Sequence, residues 1–216
     1  MDRPTLLTFD IFGTVVDWRR GLRDAVARHG LALADSDFDR IIDAQARAEA
    51  GAFQPYAAIV ASSLTSVLGL ERDAATRIGA EVGTWPLYSD SARGLHRLVS
   101  RIPCVAITNS DRAHGTQVEK QLGFKLSDWV CAEDARVYKP SADFWRFVAR
   151  RRGAELGAHW WHVSAYGDYD LETARNLGLT CVFVERPHAR RGPADLTVRD
   201  LNRLSLIVES FVDTPE

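Results

Sequence analysis

Thr5-Leu6-Leu7-Thr8-Phe9-Asp10-Ile11-Phe12-Gly13-Thr14 is the run from which the rest of the chain is best read. Its first half is a short apolar stretch, the pattern of a buried first strand. The stretch stops at a carboxylate, Asp10, and Gly13-Thr14 supply a turn. A buried strand ending this way predicts a functional loop at its carboxyl end.

Beyond Asp17 the periodicity becomes helical up to about Gly83. Leu22, Val26 and His29 space one helix, and Phe38, Ile41, Ile42 and Gln45 a second. Ile59, Val60, Leu64, Val67 and Leu68 space a third, which Gly69 closes. After Trp85-Pro86 helix and strand alternate. Asp90 caps a helix through Leu98; Cys104–Ile107 is a strand ending at Thr108; a helix through Val118–Leu122 stops at Gly123; Trp129–Cys131 is a strand. Ser141 opens a helix to Arg150, Trp160–Ala165 is a strand, Asp170–Leu177 a helix closed by Gly178, and Thr180–Val184 the last clear strand. Val198 to Phe211 ends in an amphipathic helix. Alternating units of this length predict an α/β fold with a three-layer parallel sheet, interrupted after its first strand by a helical insertion. The absence of GxGxxG and GxxxxGK[ST] argues against a dinucleotide or P-loop site.

The bulk numbers narrow the function. The 216 residues suit one core with a sizeable insertion, and 46% hydrophobic with 26% charged residues is an ordinary globular balance. A formal net charge of −2 gives no electrostatic reason for nucleic acid or membrane as a partner. Cys104, Cys131 and Cys181 sit in or beside apolar runs and read as buried free thiols. No signal-peptide layout follows Met1-Asp2-Arg3-Pro4, so a cytoplasmic location is expected.

In a parallel sheet, ligands bind outside the carboxyl ends of the strands. Four such ends carry polar groups here: Asp10, Thr108-Asn109, Lys139 and Asp170. Any one alone has a bland reading, such as a helix cap for Asp10 or Asp170 and a capping box for Thr108-Asn109. Lys139 beside Asp10 would favour the carboxylate and lower its pKa. His162 reads as a strand histidine with a satisfied hydrogen bond.

Taken together these stretches resemble the haloacid dehalogenase superfamily. Phe9-Asp10-Ile11-Phe12-Gly13-Thr14-Val15-Val16-Asp17-Trp18 is similar to its first motif, in the form of the type II (L-2-haloacid dehalogenase) branch. Ile107-Thr108-Asn109-Ser110 resembles the second motif, Val137-Tyr138-Lys139-Pro140 the third, and Asp170 with Ala174 and Gly178 the fourth; Trp85-Pro86 and Ala132-Glu133-Asp134 are also similar to that branch. The resemblance implies a Rossmann-like core from 1–16 and 84–216, a helical cap from 17–83, and Asp10 as a covalent nucleophile. It assigns catalytic roles to Asp10, Thr14, Thr108, Asn109, Lys139 and Asp170. The substrate pocket is expected around Phe12, Trp18 and Trp145, with Arg40 or Arg47 taking the departing halide.

Phe12 separates the possible reactions. Phosphatases of this superfamily carry an acid two residues after the nucleophile, because an alkoxide leaving group needs a proton. Halide needs none, and Phe12 cannot transfer one. The implied reaction is therefore hydrolysis of a short 2-haloalkanoic acid to a 2-hydroxyacid, on a small-molecule substrate and without a cofactor. Two alternatives stay open. One is a Mg²⁺-dependent phosphohydrolase with Asp10, Asp170 and, in a shifted register, Asp168 as ligands. The other is a catalytically silent binding member, suggested by Ala165 and Gly167 in the fourth motif. A homodimer is compatible with the chain.

Overall fold

Six short strands are laid down between helices in a computed structural model that describes residues 1–212. They are β1 (Leu6–Phe9), β2 (Cys104–Thr108), β3 (Asp128–Cys131), β4 (Trp160–Ser164), β5 (Thr180–Val184) and β6 (Leu196–Val198). They form one sheet in the order β3-β2-β1-β4-β5-β6, and every neighbouring pair is parallel. Strand β1 is central, with Leu7 opposite both Cys104 and Trp161. The chain order reverses on either side of it, so the end of β1 is the switch point at which such sheets hold ligands.

β1, β2, β4 and β5 are buried throughout, which explains their largely apolar character. Alternate residues serve opposite layers. Leu7, Phe9, Cys104, Ala106, Trp161, Val163 and Val182 face α5 (Ser91–Val99), α6 (Arg112–Leu122) and α10 (Leu201–Val212). Val105, Ile107, Trp160, Cys181 and Phe183 face α8 (Ala142–Arg152) and α9 (Glu172–Asn176). Trp160 and Trp161 thus anchor opposite layers.

Between β1 and β2 lie α1 (Trp18–Ala27), α2 (Asp35–Glu49), α3 (Tyr56–Leu68) and α4 (Arg72–Ala80), the last without a counterpart in the sequence reading. Their apolar faces, including Leu22, Phe38, Ile41, Leu64 and Ile78, run continuously into the core on the α5–α10 side. Gly69 ends α3 with φ +67, where a glycine avoids the Cβ penalty. Strand β6 and the one-turn helix α7 (Ala132–Ala135) were also unforeseen, being too short for periodicity to register.

Two caps differ from expectation. Asp90 precedes α5 but makes no side-chain cap there. Its carboxylate instead accepts from Leu201 N (2.7 Å) at the start of α10 and pairs in a fork with Arg186, at 2.7 and 3.0 Å. The capping box that was the bland reading of Thr108-Asn109 is not formed either, because α6 is capped by Asp111 with His114. All three cysteines are buried and free. No helix among the described residues is long and apolar enough to cross a membrane.

Candidate active site

Asp10 follows β1 directly, its N–H tied to Val163 O of β4 (3.0 Å). The carboxylate is buried and held on both sides. Thr14 Oγ1 donates to Oδ2 (2.7 Å) and Lys139 Nζ to Oδ1 (2.8 Å). Thr14 reaches back because Gly13, at φ +101, turns the chain tightly; a Cβ there would lie 2.2 Å from the Tyr166 hydroxyl. Ala165 N donates to Thr14 Oγ1 (2.9 Å), and Arg186 Nε donates to Thr14 O (3.0 Å).

Lys139 also donates to Asp170 Oδ2 at 2.7 Å, so one buried ammonium bridges two buried carboxylates. Asp170 reaches it from a π-helical turn, Gly167–Leu171, that precedes α9. It therefore points into the sheet end and does not cap α9. Ser164 Oγ donates to the same Oδ2 (3.1 Å), and His162 Nε2 stands 3.5 Å from it. His162 Nδ1 meets Thr8 Oγ1 at 2.9 Å. Only one of its two nitrogens therefore has a close partner, and Nε2 joins Asp170 Oδ1 as a buried atom without one.

One ammonium shared between two carboxylates does not treat them equally. Burial opposes ionisation of Asp170, but Lys139 and His162 outweigh it and draw the pKa to about 2. At Asp10 burial, reinforced by the Asp170 charge, outweighs Lys139 and raises the pKa above 3.8. This reverses the lowering expected from Lys139 alone. Burial also opposes the Lys139 charge, and the two carboxylates more than restore it.

Thr108 and Asn109 lie at the end of β2, and neither bonds to Asp10. Thr108 donates to Ser110 Oγ (3.2 Å). Asn109 clamps the main chain of Lys139, accepting from its N–H (2.7 Å) and donating to its carbonyl (3.0 Å). Tyr169 donates to the same carbonyl. Asn109 thus positions the lysine.

A cavity of about 400 Å³ opens over these groups, between the sheet end and α1–α3. Phe12 and Trp18 line it as expected, along with Arg19, Glu49, Tyr56, Tyr166 and Tyr169. Trp18 Nε1 donates to Tyr166 Oη (2.8 Å). Three expectations fail. Arg40 and Arg47 lie off the cavity: α2 presents Asp39, Ile42, Asp43, Ala46 and Glu49, and a turn of about 100° per residue carries positions 40 and 47 aside. Arg40 pairs with Asp37 (3.3 Å) and donates to Val67 O (3.2 Å). Trp145 is fully buried under the sheet against Phe144 and His162, away from the cavity. Asp168 pairs with Arg190 (3.3 Å) and does not join Asp10 and Asp170.

Arg19, Glu49, Tyr166 and Tyr169 were missed by sequence reasoning. The two tyrosines lie inside the fourth-motif loop, and their spacing to Asp170 was the available signal. Arg19 directly follows Trp18; it packs over Phe38, 4.8 Å from the ring centroid, with Nε buried and unpartnered among the described residues. Glu49 lies on one face of α2 with Ile42 and Asp39, a periodicity visible only once the cavity side of the helix is known. Its carboxylate accepts from Asn109 Nδ2 at 3.2 Å.

The family model for haloacid dehalogenase-like hydrolases matches residues 4–178. No curated protein matches the chain in sequence. Among solved structures, the L-2-haloacid dehalogenase PA0810 matches with a TM-score of 0.84 at 23% identity, over 95% of this chain and 99% of that one. The defluorinating L-2-haloacid dehalogenase Rha0230 matches at 0.82 and 23%, over 95% of each chain. The L-2-haloacid dehalogenase from Xanthobacter autotrophicus matches at 0.83 and 18%, over 95% of this chain and 98% of its own. These likenesses establish a shared fold, and the family model, spanning most of the chain, establishes membership. The chain belongs to the haloacid dehalogenase-like hydrolases.

Proposed function

We propose that this hydrolase cleaves the carbon–halogen bond of short 2-haloalkanoic acids through a covalent aspartyl ester. The observation that carries the reading is the pairing of a buried Asp10, bridged by Lys139 to Asp170, with Phe12 where an acid for alkoxide departure would stand. Because burial and the Asp170 charge raise the Asp10 pKa while Asp170 is held at about 2, Asp10 is the more basic carboxylate and the better nucleophile. An Asp10 oxygen attacks C2 with inversion, the C–X bond breaks, and halide leaves with the bonding pair. Water then adds to Cγ of the ester and releases the 2-hydroxyacid and a proton. Asp170 Oδ1, buried and without another partner among the described residues, is the acceptor suited to orient that water. The Lys139 ammonium faces the oxyanion that develops on Asp10. Arg19 replaces Arg40 and Arg47 as the cap cation for halide or substrate carboxylate.

The residues do not fit magnesium. An octahedral ion takes several oxygen ligands, whereas Lys139 lies between Asp10 and Asp170 and Asp168 is paired elsewhere. Among the described residues no three His, Cys, Asp or Glu side chains gather as ligands.

The test is halide release from 2-chloro- and 2-bromoalkanoates in EDTA, for wild type and Asp10→Asn. Release by wild type alone supports the reading. No release by either overturns it.

A further inference from the structure

Glu49 is a carboxyl group that the proposed chemistry does not use. It comes from the last turn of α2, across the cavity from the sheet, and it stands where two recesses meet. The main cavity and an adjoining one of about 330 Å³ share Glu49, Lys139 and Tyr169 in their walls. No ion pair joins Glu49 to any lysine or arginine among the described residues. Among the described residues its one hydrogen-bond partner is Asn109 Nδ2, an amide with two hydrogens that also serves Lys139 O and Tyr169 Oη at 3.0 Å. The 3.2 Å contact to Glu49 is the longest of the three, and the second carboxyl oxygen is free to carry a proton.

We propose that Glu49 sets the charge class of ligand the cavity admits: protonated, it accommodates a small monocarboxylate beside Asp10, and ionised, it repels one. The proposal deepens the haloacid reading and rests on it for the identity of the anion. The surroundings support it. Glu49 shares its cavity with Asp10 and Asp170, whose two charges Lys139 only partly offsets. Asp39 and Asp43 add negative charge along its own helix, and Asp111 lies behind Tyr56 on α3. Tyr56, Tyr138 and Tyr169 face it from α3, the Lys139 loop and the π turn, and burial pushes all three phenols upward, so they stay neutral. Burial likewise pushes Glu49 up to about 7, against Asn109 and a pull from Lys139. The gate would then turn over near neutral pH.

Other charges in the cavity do not reproduce this behaviour. Burial and the neighbouring Arg19 hold His188 below its usual range, and its contribution is common to wild type and Glu49→Gln. Arg19 and Arg190 also line the cavity and are the same in both proteins. Arg136, in the adjoining recess, lies over the Phe53 ring.

The test uses propionate, which cannot react, with binding followed by tryptophan fluorescence from Trp18 and Trp85 in the cavity wall. For wild type, Kd should rise about tenfold or more between pH 6 and pH 8.5, the size of one unscreened repulsion in a cavity of this depth. For Glu49→Gln it should change less than about threefold over that range. Identical pH profiles for the two proteins overturn the proposal. A second measurement needs no variant: the ¹³C shift of the Glu49 carboxyl, titrated with and without saturating propionate. Reciprocity requires propionate to raise the midpoint by about one pH unit for a tenfold effect, and an unmoved midpoint overturns the proposal. Halide release separates the two claims. Propionate binding that follows Glu49, without halide release at any pH, sustains the gate and overturns the dehalogenase reading alone.

Discussion

Lys139→Met removes the ammonium from between Asp10 and Asp170 while keeping a stem of similar length. Lys139 is 3% exposed, Asp10 6% and Asp170 0%, so solvent cannot replace the lost partner. Breaking a buried pair by deleting one member costs about 3–5 kcal/mol. Protonation caps that cost. A buried carboxylate left alone takes up a proton, and doing so at pH 7 from an unfolded pKa near 3.9 costs about 4 kcal/mol, falling to about 1.5 at pH 5. One proton is enough, because a protonated Asp10 or Asp170 can donate to the other. The destabilisation should therefore shrink by about 1.4 kcal/mol per pH unit between pH 7 and pH 5. Asp170 itself contributes no change to wild type over that range, since it stays ionised down to about 2. Urea denaturation of both proteins at pH 5, 6 and 7 reads the effect directly. Near pH 7 the melting temperature should fall by roughly 8–16 °C. Adding Asp170→Asn should recover part of the loss. A cost that is independent of pH, or below about 1 kcal/mol at pH 7, refutes the reasoning.

Gly13→Ala should abolish turnover, because its Cβ would meet both Oη and Cε2 of Tyr166 at 2.2 and 2.6 Å. Tyr166→Phe in that background should fail to rescue it in a halide-release assay, since the ring carbons still clash. Arg186→Leu leaves Asp90 unpaired and frees the Thr14 carbonyl. It should cost about 3–5 kcal/mol in urea melts and lower kcat roughly tenfold to a hundredfold well below the melting temperature, through displacement of Thr14 from Asp10. Glu49 gives a stability signature with a defined sign. Its folded pKa lies above the unfolded value, so its contribution is fully present below about pH 4.3 and is lost as pH rises through about 7. Wild type should lose about 1–2 kcal/mol more than Glu49→Gln between pH 5 and pH 8, after allowance for partial solvent screening.

The sheet was legible because its strands announce themselves locally. Leu6–Phe9, Cys104–Thr108 and Thr180–Val184 are short, mostly apolar runs, each followed by a turn or a helix. Asp10, Lys139 and Asp170 were legible because strand ends in a parallel sheet all point to one edge. The cap side was less so. Arg40, Arg47 and Glu49 share α2, and only tertiary packing decides which stripe of a helix faces the sheet. The family resemblance put Trp145 at the pocket, yet Phe144-Trp145 serves the layer under the sheet. Asp170 looked like the first residue of a helix. The π turn gives the backbone one more residue before α9, and that carries the carboxylate to Lys139. Asp90 was placed beside the correct helix but caps another, α10, which lies over a hundred residues away in the chain.

The central claim is that Asp10 becomes esterified. The direct measurement is a single turnover in H₂¹⁸O with enzyme in excess over 2-chloropropionate, followed by proteolysis and mass spectrometry of the peptide holding Asp10. The mechanism predicts one ¹⁸O in the Asp10 carboxyl group and none in the first lactate released, because water attacks Cγ and the lactate oxygen comes from the enzyme. Label in the lactate with an unlabelled Asp10 would mean that water attacks C2 directly, and would contradict it.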